Sequence, residues 1–260
     1  MTTILFLKNL AMINYQFYAT LLDSFEGYLN SSRTYQEYWG FSENPSKTEE
    51  EYEQEQFQGL IDKINRVPFS SEAADKGTAF NEVVDCIIEN RTSTMMTIKS
   101  YKESGVIAVQ FKEHLFNFPF DLCIEFAKYF KGALTQQFTE GVIQTKYGPV
   151  RLYGYIDESL PFKTADIKTT GKYSAFKYKN NWQHIVYPFC LKQNGIDVPE
   201  FEYVITDFKN SWTELYVYNE ERDLPSLKMH CERFIEFLEL NKDKITDIKI
   251  FGINNIPVSA

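Results

Sequence analysis

Residues 139–168 read TEGVIQTKYGPVRLYGYIDESLPFKTADIK, and the reading of this stretch decides the fold. Before about residue 138 apolar residues recur at helical spacing, and from there the period drops from about 3.6 to about 2. Two turn-type breaks, Tyr147-Gly-Pro149 and Asp157-Glu-Ser-Leu-Pro161, divide the stretch into segments 139–146, 150–157 and 162–168. Three consecutive antiparallel strands are predicted. Alternation on the third strand puts Asp166 and Lys168 on one face and turns Ile167 to the other, towards a core. Asp157 ends the preceding strand, so hairpin pairing brings its carboxylate beside Asp166.

Working outward, a long helical pattern at 173–193 follows, then strands at 201–208 and 213–218 and a helix over about 225–241. Gln183 and Tyr187 stand at i and i+4 of the first of these helices and share a face. Pro188 falls inside it, where a bend is expected because proline cannot donate to the helix ladder. Upstream, residues 12–30 are helical by spacing, 31–56 are polar with Gly40 and Pro45 and read as a loop, and a helix runs from near Gly77 through Ile88. A strand is predicted at 106–112 and a helix after Pro119. The pattern is an α/β core with helical additions at both ends. Its expected parts are a helical lead segment with an acidic loop (1–72), a core (73–220), and a C-terminal helix and tail packed on the core (221–260).

Composition narrows the class. The chain has 260 residues, 43% of them hydrophobic, enough for a buried core. The mean hydropathy is -0.36, and no apolar run reaches the roughly 18 to 20 residues of a membrane helix. The apolar start Met1–Lys8 is short and lacks a basic head, so no secretory signal is expected and an intracellular, cytoplasmic protein is. Cys86, Cys123, Cys190 and Cys231 are too scattered for a CxxC pair and read as reduced core residues. His114, His184 and His230 are equally isolated and read as surface or packing residues. The net charge of -9 argues against a protein that coats nucleic acid, and leaves room for an enzyme with local positive charge. The acidic run Thr48–Glu55 reads as a solvated helix start or loop.

Two carboxylates and a backbone carbonyl make a hard oxygen site suited to Mg²⁺ or Mn²⁺. A lysine beside such an ion can orient and help deprotonate a water attacking a phosphate, while the ion neutralises the charge that develops. Asp-x-Lys alone carries little information: it recurs at Asp207–Lys209 and Asp247–Lys249. Only Asp166–Lys168 has an acid ending the strand before it and a helix with Gln-x-x-x-Tyr behind it.

The run Gly154-x-x-Asp157, Asp166-x-Lys168, Gln183-x-x-x-Tyr187 resembles the RecB-like branch of the PD-(D/E)xK nuclease superfamily, over roughly residues 73–218. The resemblance implies an αβββαβ restriction-endonuclease-like core and a metal-dependent DNA nuclease of recombination, repair or phage DNA processing. If a phage encodes it, it would act in the host cytoplasm. It implies Asp157, Asp166 and the Ile167 carbonyl as metal ligands, Lys168 as the catalytic lysine, and Gln183 and Tyr187 as organisers of the site. Gly77-Thr-Ala-Phe-Asn-Glu82 is similar to the family's first motif, with Glu82 as a further ligand. RecB-like members carry histidine where Asn81 stands. Some relatives hold a four-cysteine iron–sulfur cluster, and none is expected here because the clustered C-terminal cysteines are missing. Lys172, Tyr173, Lys177 and Lys179, beside the motif, are expected to meet phosphates and bases of DNA. The alternative is a catalytically silent relative that binds nucleic acid or a protein partner.

Overall fold

The computed structural model describes residues 13–252, so the apolar start at Met1–Lys8 lies outside the described residues. The three strands form as predicted: β5 in the sheet described here is Leu134–Thr145, β6 is Gly148–Ser159 and β7 is Lys163–Thr169. In chain order the elements before them are β1 (Tyr15–Tyr18), α1 (Ala19–Leu29), α2 (Ser31–Trp39), α3 (Glu49–Ile64) and α4 (Glu72–Ile88), then β2 (Thr97–Tyr101), β3 (Val106–Phe111), β4 (His114–Pro119) and α5 (Phe120–Tyr129). After them come α6 (Gln183–Gln193), β8 (Glu200–Thr206), β9 (Ser211–Val217) and α7 (Glu220–Leu240). The fold is mixed α/β.

The central sheet has the order β1-β6-β7-β8-β9, with β5 paired to the other edge of β6. β5, β6 and β7 are antiparallel neighbours, and β7 and β8 run parallel with α6 as the crossover. A short separate sheet holds β2, β3 and β4. Two apolar clusters fill the two sides. On one, Leu21, Phe25, Ile61, Val186 and Phe234 of α1, α3, α6 and α7 pack on Leu152, Ile156 and Tyr203. On the other, Phe80 and Val83 of α4, Phe126 of α5 and Phe118 of β4 pack on Ala165, Ile167 and Val204. Ile167 thus faces the second core, as strand alternation requires.

The lead segment departs from the sequence reading. Residues 31–56 do not form a loop: α2 and α3 occupy most of them. The acidic run is the opening turn of α3, where Thr48 accepts from the Glu51 amide and Glu51 reaches back to the Thr48 amide. This reciprocal cap and three acids at the positive helix end stabilise the start. Nor is the segment an appendage. β1 pairs in parallel with β6, Tyr15 opposite Val150 through Tyr18 opposite Tyr153, and so belongs to the core sheet. Downstream, the helix expected from 173 begins only at Gln183. Residues 170–182 make successive turns, with Phe176 in the left-handed region at φ 60°. α6 is continuous through Pro188.

Phe17 of β1 is fully buried, its ring 4.8 Å from Phe234. Phe17→Ala is therefore expected to cost about 3–5 kcal/mol in urea unfolding. A loss below about 1 kcal/mol would mean that the lead segment packs outside the cooperative core.

Candidate functional site: a carboxylate–lysine pocket between parted strands

The site exists because β6 and β7 separate. Their ladder holds only at Glu158–Ala165 and Ser159–Thr164, next to the connecting turn. Further along, the same edge of β6 pairs with β1 at residues 150–153. Between these two pairings lies a gap at residues 154–157. Where the ladder stops, the Asp157 side chain substitutes for backbone: its Oδ2 accepts the Ile167 amide at 3.1 Å. The β5–β6 ladder also skips one rung, the one joining Gln136 and Asp157, and Gln136 has φ 49°. That twist directs the Gln136 amide to Asp157 Oδ1 and Asp85 Oδ2, each at 3.3 Å.

An open cavity of about 450 Å³ occupies the gap, with Asp157, Asp166, Ile167, Lys168, Gln183 and Tyr187 in its wall. The residues singled out as the reacting centre are therefore brought together. Lys168 Nζ lies 2.7 Å from Asp166 Oδ2 and donates to Gln183 Oε1 at 2.8 Å. Gln183 Nε2 donates to Asp166 Oδ1 at 2.5 Å, which closes a ring of three side chains. Gln183 opens α6 and is almost fully buried, so the ring is held by the helix start. Tyr187, one turn on, lies against Gly154. A Cβ there would stand 2.6 Å from the Tyr187 ring, so glycine is required for this approach.

Burial, and then the Asp166 charge, push the Asp157 carboxyl up to about 8, against the pull of Lys168. Burial drags the Lys168 ammonium down, but Asp166 beside it more than offsets this and holds it above lysine's ordinary value. The two acids repel each other in a poorly solvated place, and one lysine compensates them only in part.

The helix expected to add an acid to the cavity brings an amide there instead. Glu82 is corrected: it faces away from the cavity, with its oxygens at 2.7 and 3.0 Å from the Arg91 guanidinium. Its neighbour Asn81 lines the cavity and donates to Asp157 Oδ2 at 3.3 Å. About 100° separate adjacent residues on a helix, so only one of the two can look into the gap. One turn beyond Asn81, Asp85 reaches Gln136 and faces Glu158. Burial pushes Asp85 up to about 6 and, with the Asp85 charge, Glu158 up to about 9. Glu158 is fully buried, and neither of its oxygens accepts a hydrogen bond from an amide or a cation. Burial and mutual repulsion favour a proton on one member of the pair.

The expected substrate contacts do not line the cavity. Lys172, Lys177 and Lys179 lie exposed on the 170–182 link, and Lys177 Nζ is engaged locally, at 2.5 Å from Thr170 Oγ1 and 2.9 Å from the Lys172 carbonyl. Tyr173 stacks on Trp212, 4.7 Å away, at the sheet edge. Beyond Gln136, Asp85 and Glu158, three further groups escaped the sequence reading. Asp23 of α1 accepts the Trp182 amide, and burial pushes it up to about 6, relieved by Lys168 and Lys63. Arg66 and Tyr153 stand at the cavity mouth. Only the parallel register of β1 on β6 brings α1 here, and no local motif announces it. Among the histidines, His184 and His230 are buried packing residues, His184 stacked on Tyr216 and His230 on Trp182. The four cysteines are separate buried thiols.

No protein-family model and no curated protein matches the chain. Among solved structures, one known as SSO0001 is similar over 86% of this chain and 76% of its own, with 10% identical residues and a TM-score of 0.47. So slight a likeness carries no functional argument. Among the described residues no helix is long and apolar enough to cross a membrane.

The raised carboxyls set a pH dependence. Asp157 and Glu158 keep protons in the folded chain to about 8 and 9, far above their ordinary values of 3.8 and 4.5. Their contribution to stability is present at low pH and lost as pH rises through that window. His184, driven down to about 4 by burial, acts oppositely between about 4 and 6.5. The melting temperature should peak at about pH 4 and fall towards pH 9, because the two carboxyls together outweigh His184 between about 4.5 and 6.5. Glu158→Gln should raise stability at pH 9 by at least about 1 kcal/mol and change it far less at pH 5. A variant less stable than wild type at pH 9 would show instead that Glu158 is ionised and partnered.

Proposed function

We propose that the chain is a divalent-metal-dependent nuclease that hydrolyses DNA phosphodiester bonds, with an αβββαβ restriction-endonuclease-like core of the RecB-like PD-(D/E)xK kind. The observation that carries this reading is the Asp166–Lys168–Gln183 ring set beside Asp157 in an open gap.

A metal fits the residues present. The Asn81 Oδ1 atom, beside Asp157, is buried without a donor, and Asp166 Oδ2 has no partner but the Lys168 ammonium. Two mutually repelling carboxylates and a spare amide oxygen are what a hard cation relieves. Mg²⁺, which keeps several waters and takes one or two carboxylates, suits the set, as does Mn²⁺. Asp157, Asp166 and the Ile167 carbonyl would hold it. Bound there, it would neutralise charge on the phosphate and acidify water.

The chain's own groups supply the rest. Lys168 is fixed by Asp166 and Gln183, so its ammonium can orient the attacking water and stabilise negative charge as the phosphorus–oxygen bond breaks. Gln183 fixes both groups at once, which limits the reorganisation needed in the transition state. The first turn of α1 has neither a side-chain cap nor an acid, and its residues Ala19 and Thr20 border the cavity. Its free amides suit a phosphate oxygen.

Incubation with linear and circular DNA in Mg²⁺, Mn²⁺ or EDTA is the direct test. Cleavage should require the metal, and Lys168→Ala should slow single-turnover cleavage by roughly 10²–10⁴-fold. Cleavage by Lys168→Ala at the wild-type rate, or none by the wild type with either metal, would sink the proposal.

A further inference from the structure

On β6 the residues Val150, Leu152 and Ile156 are fully buried, so the alternate positions Arg151, Tyr153 and Tyr155 face outward on the way to Asp157. Tyr155 and its register partner on β5, Phe138, are 58% and 48% exposed, with ring centroids 5.3 Å apart. Neither ring belongs to either apolar core. Tyr153 is anchored: its hydroxyl accepts from Arg66 at 2.9 Å. Arg66 is in turn fixed by Asp247 at 2.6 Å while half its side chain stays exposed. Arg66, Tyr153 and Tyr155 all border the cavity that holds Asp157 and Asp166. Residues two apart on a strand are spaced by about 6.7 Å, so ring, ring and carboxylate follow one another at an even interval.

We propose that Tyr155 and Phe138 form a stacking platform for the unpaired bases of a single DNA strand whose backbone enters the carboxylate pocket. This rests on the nuclease reading and names its substrate class. Aromatic faces can stack only on bases free of a duplex, which offers its grooves the edges of bases alone. Charge points the same way. A chain of net charge -9 gains little from the denser phosphate array of a duplex, whereas stacking does not depend on counterion release. Arg66 supplies a guanidinium where the strand would enter.

The test measures fluorescence anisotropy of a labelled oligothymidylate of about 12 nucleotides and of a hairpin duplex of similar length, in Ca²⁺, with cleavage of both probes in Mg²⁺ read in parallel. The single strand should bind more tightly than the duplex. Tyr155→Ala and Phe138→Ala should each weaken single-strand binding by roughly 5- to 150-fold, Tyr155→Phe should retain it, and duplex binding should not change. Both positions are exposed, and unchanged melting temperatures would exclude misfolding. Variants that bind and cut single strands like the wild type would overturn the platform and leave the nuclease reading standing. Tighter duplex binding that is blind to both substitutions would do the same. If the wild type neither binds nor cuts either probe, both readings fall together.

Discussion

Asp157 occupies the point at which two strands of the central sheet cease to pair, and its carboxylate takes over the Ile167 amide that the lost ladder leaves open. Had the ladder continued, backbone hydrogen bonds would have closed the gap and left no cavity beside Asp166 and Lys168. The gap persists because its margins are held from outside. β1 pairs with β6 below it, α1 begins at its rim, and Gln183 locks Asp166 and Lys168 together on the far side. Mutually repelling acids are thus kept close by elements that gain their own stability elsewhere, in the two apolar cores.

The same arrangement explains the electrostatics. Asp157, Glu158 and Asp85 are all pushed upward, so protons are held where negative charge is poorly solvated. Such destabilised groups are kept at functional sites at the expense of stability. The overall net charge of -9 therefore says little about local chemistry: one ammonium placed between Asp166 and Gln183 matters more than the lysines scattered on the surface.

Much of this was legible in the sequence. Period-2 alternation and two turn breaks located β5, β6 and β7, and i,i+4 spacing located Gln183 and Tyr187 on α6. The losses have separate physical reasons. α2 and α3 were hidden because Gly40 and Pro45 lie between them and few of their apolar residues are buried: Tyr35 in α2, and Leu60, Ile61 and Ile64 at the far end of α3. Glu82 and Asn81 are both plausible donors in one dimension. Only the roll of α4, set by Phe80 and Val83 in the second core, decides that Asn81 and then Asp85 look inward. Gln136 enters the site through a single twisted rung, and Asp23 through a parallel pairing between segments more than a hundred residues apart. The link that carries Lys172, Lys177 and Lys179 folds as turns, not as the first half of α6, which begins at Gln183.

On the proposed reading, the parted strands create a cation site from Asp157 and Asp166. Calorimetric titration of Mn²⁺ into the intact chain tests it without reference to any nucleic acid. Saturable binding is expected, tightening as pH rises towards 8 because Asp157 must release its proton, and strongly weakened in both Asp157→Asn and Asp166→Asn. Binding of equal strength in wild type and both variants, or no binding at any pH up to about 9, would contradict it.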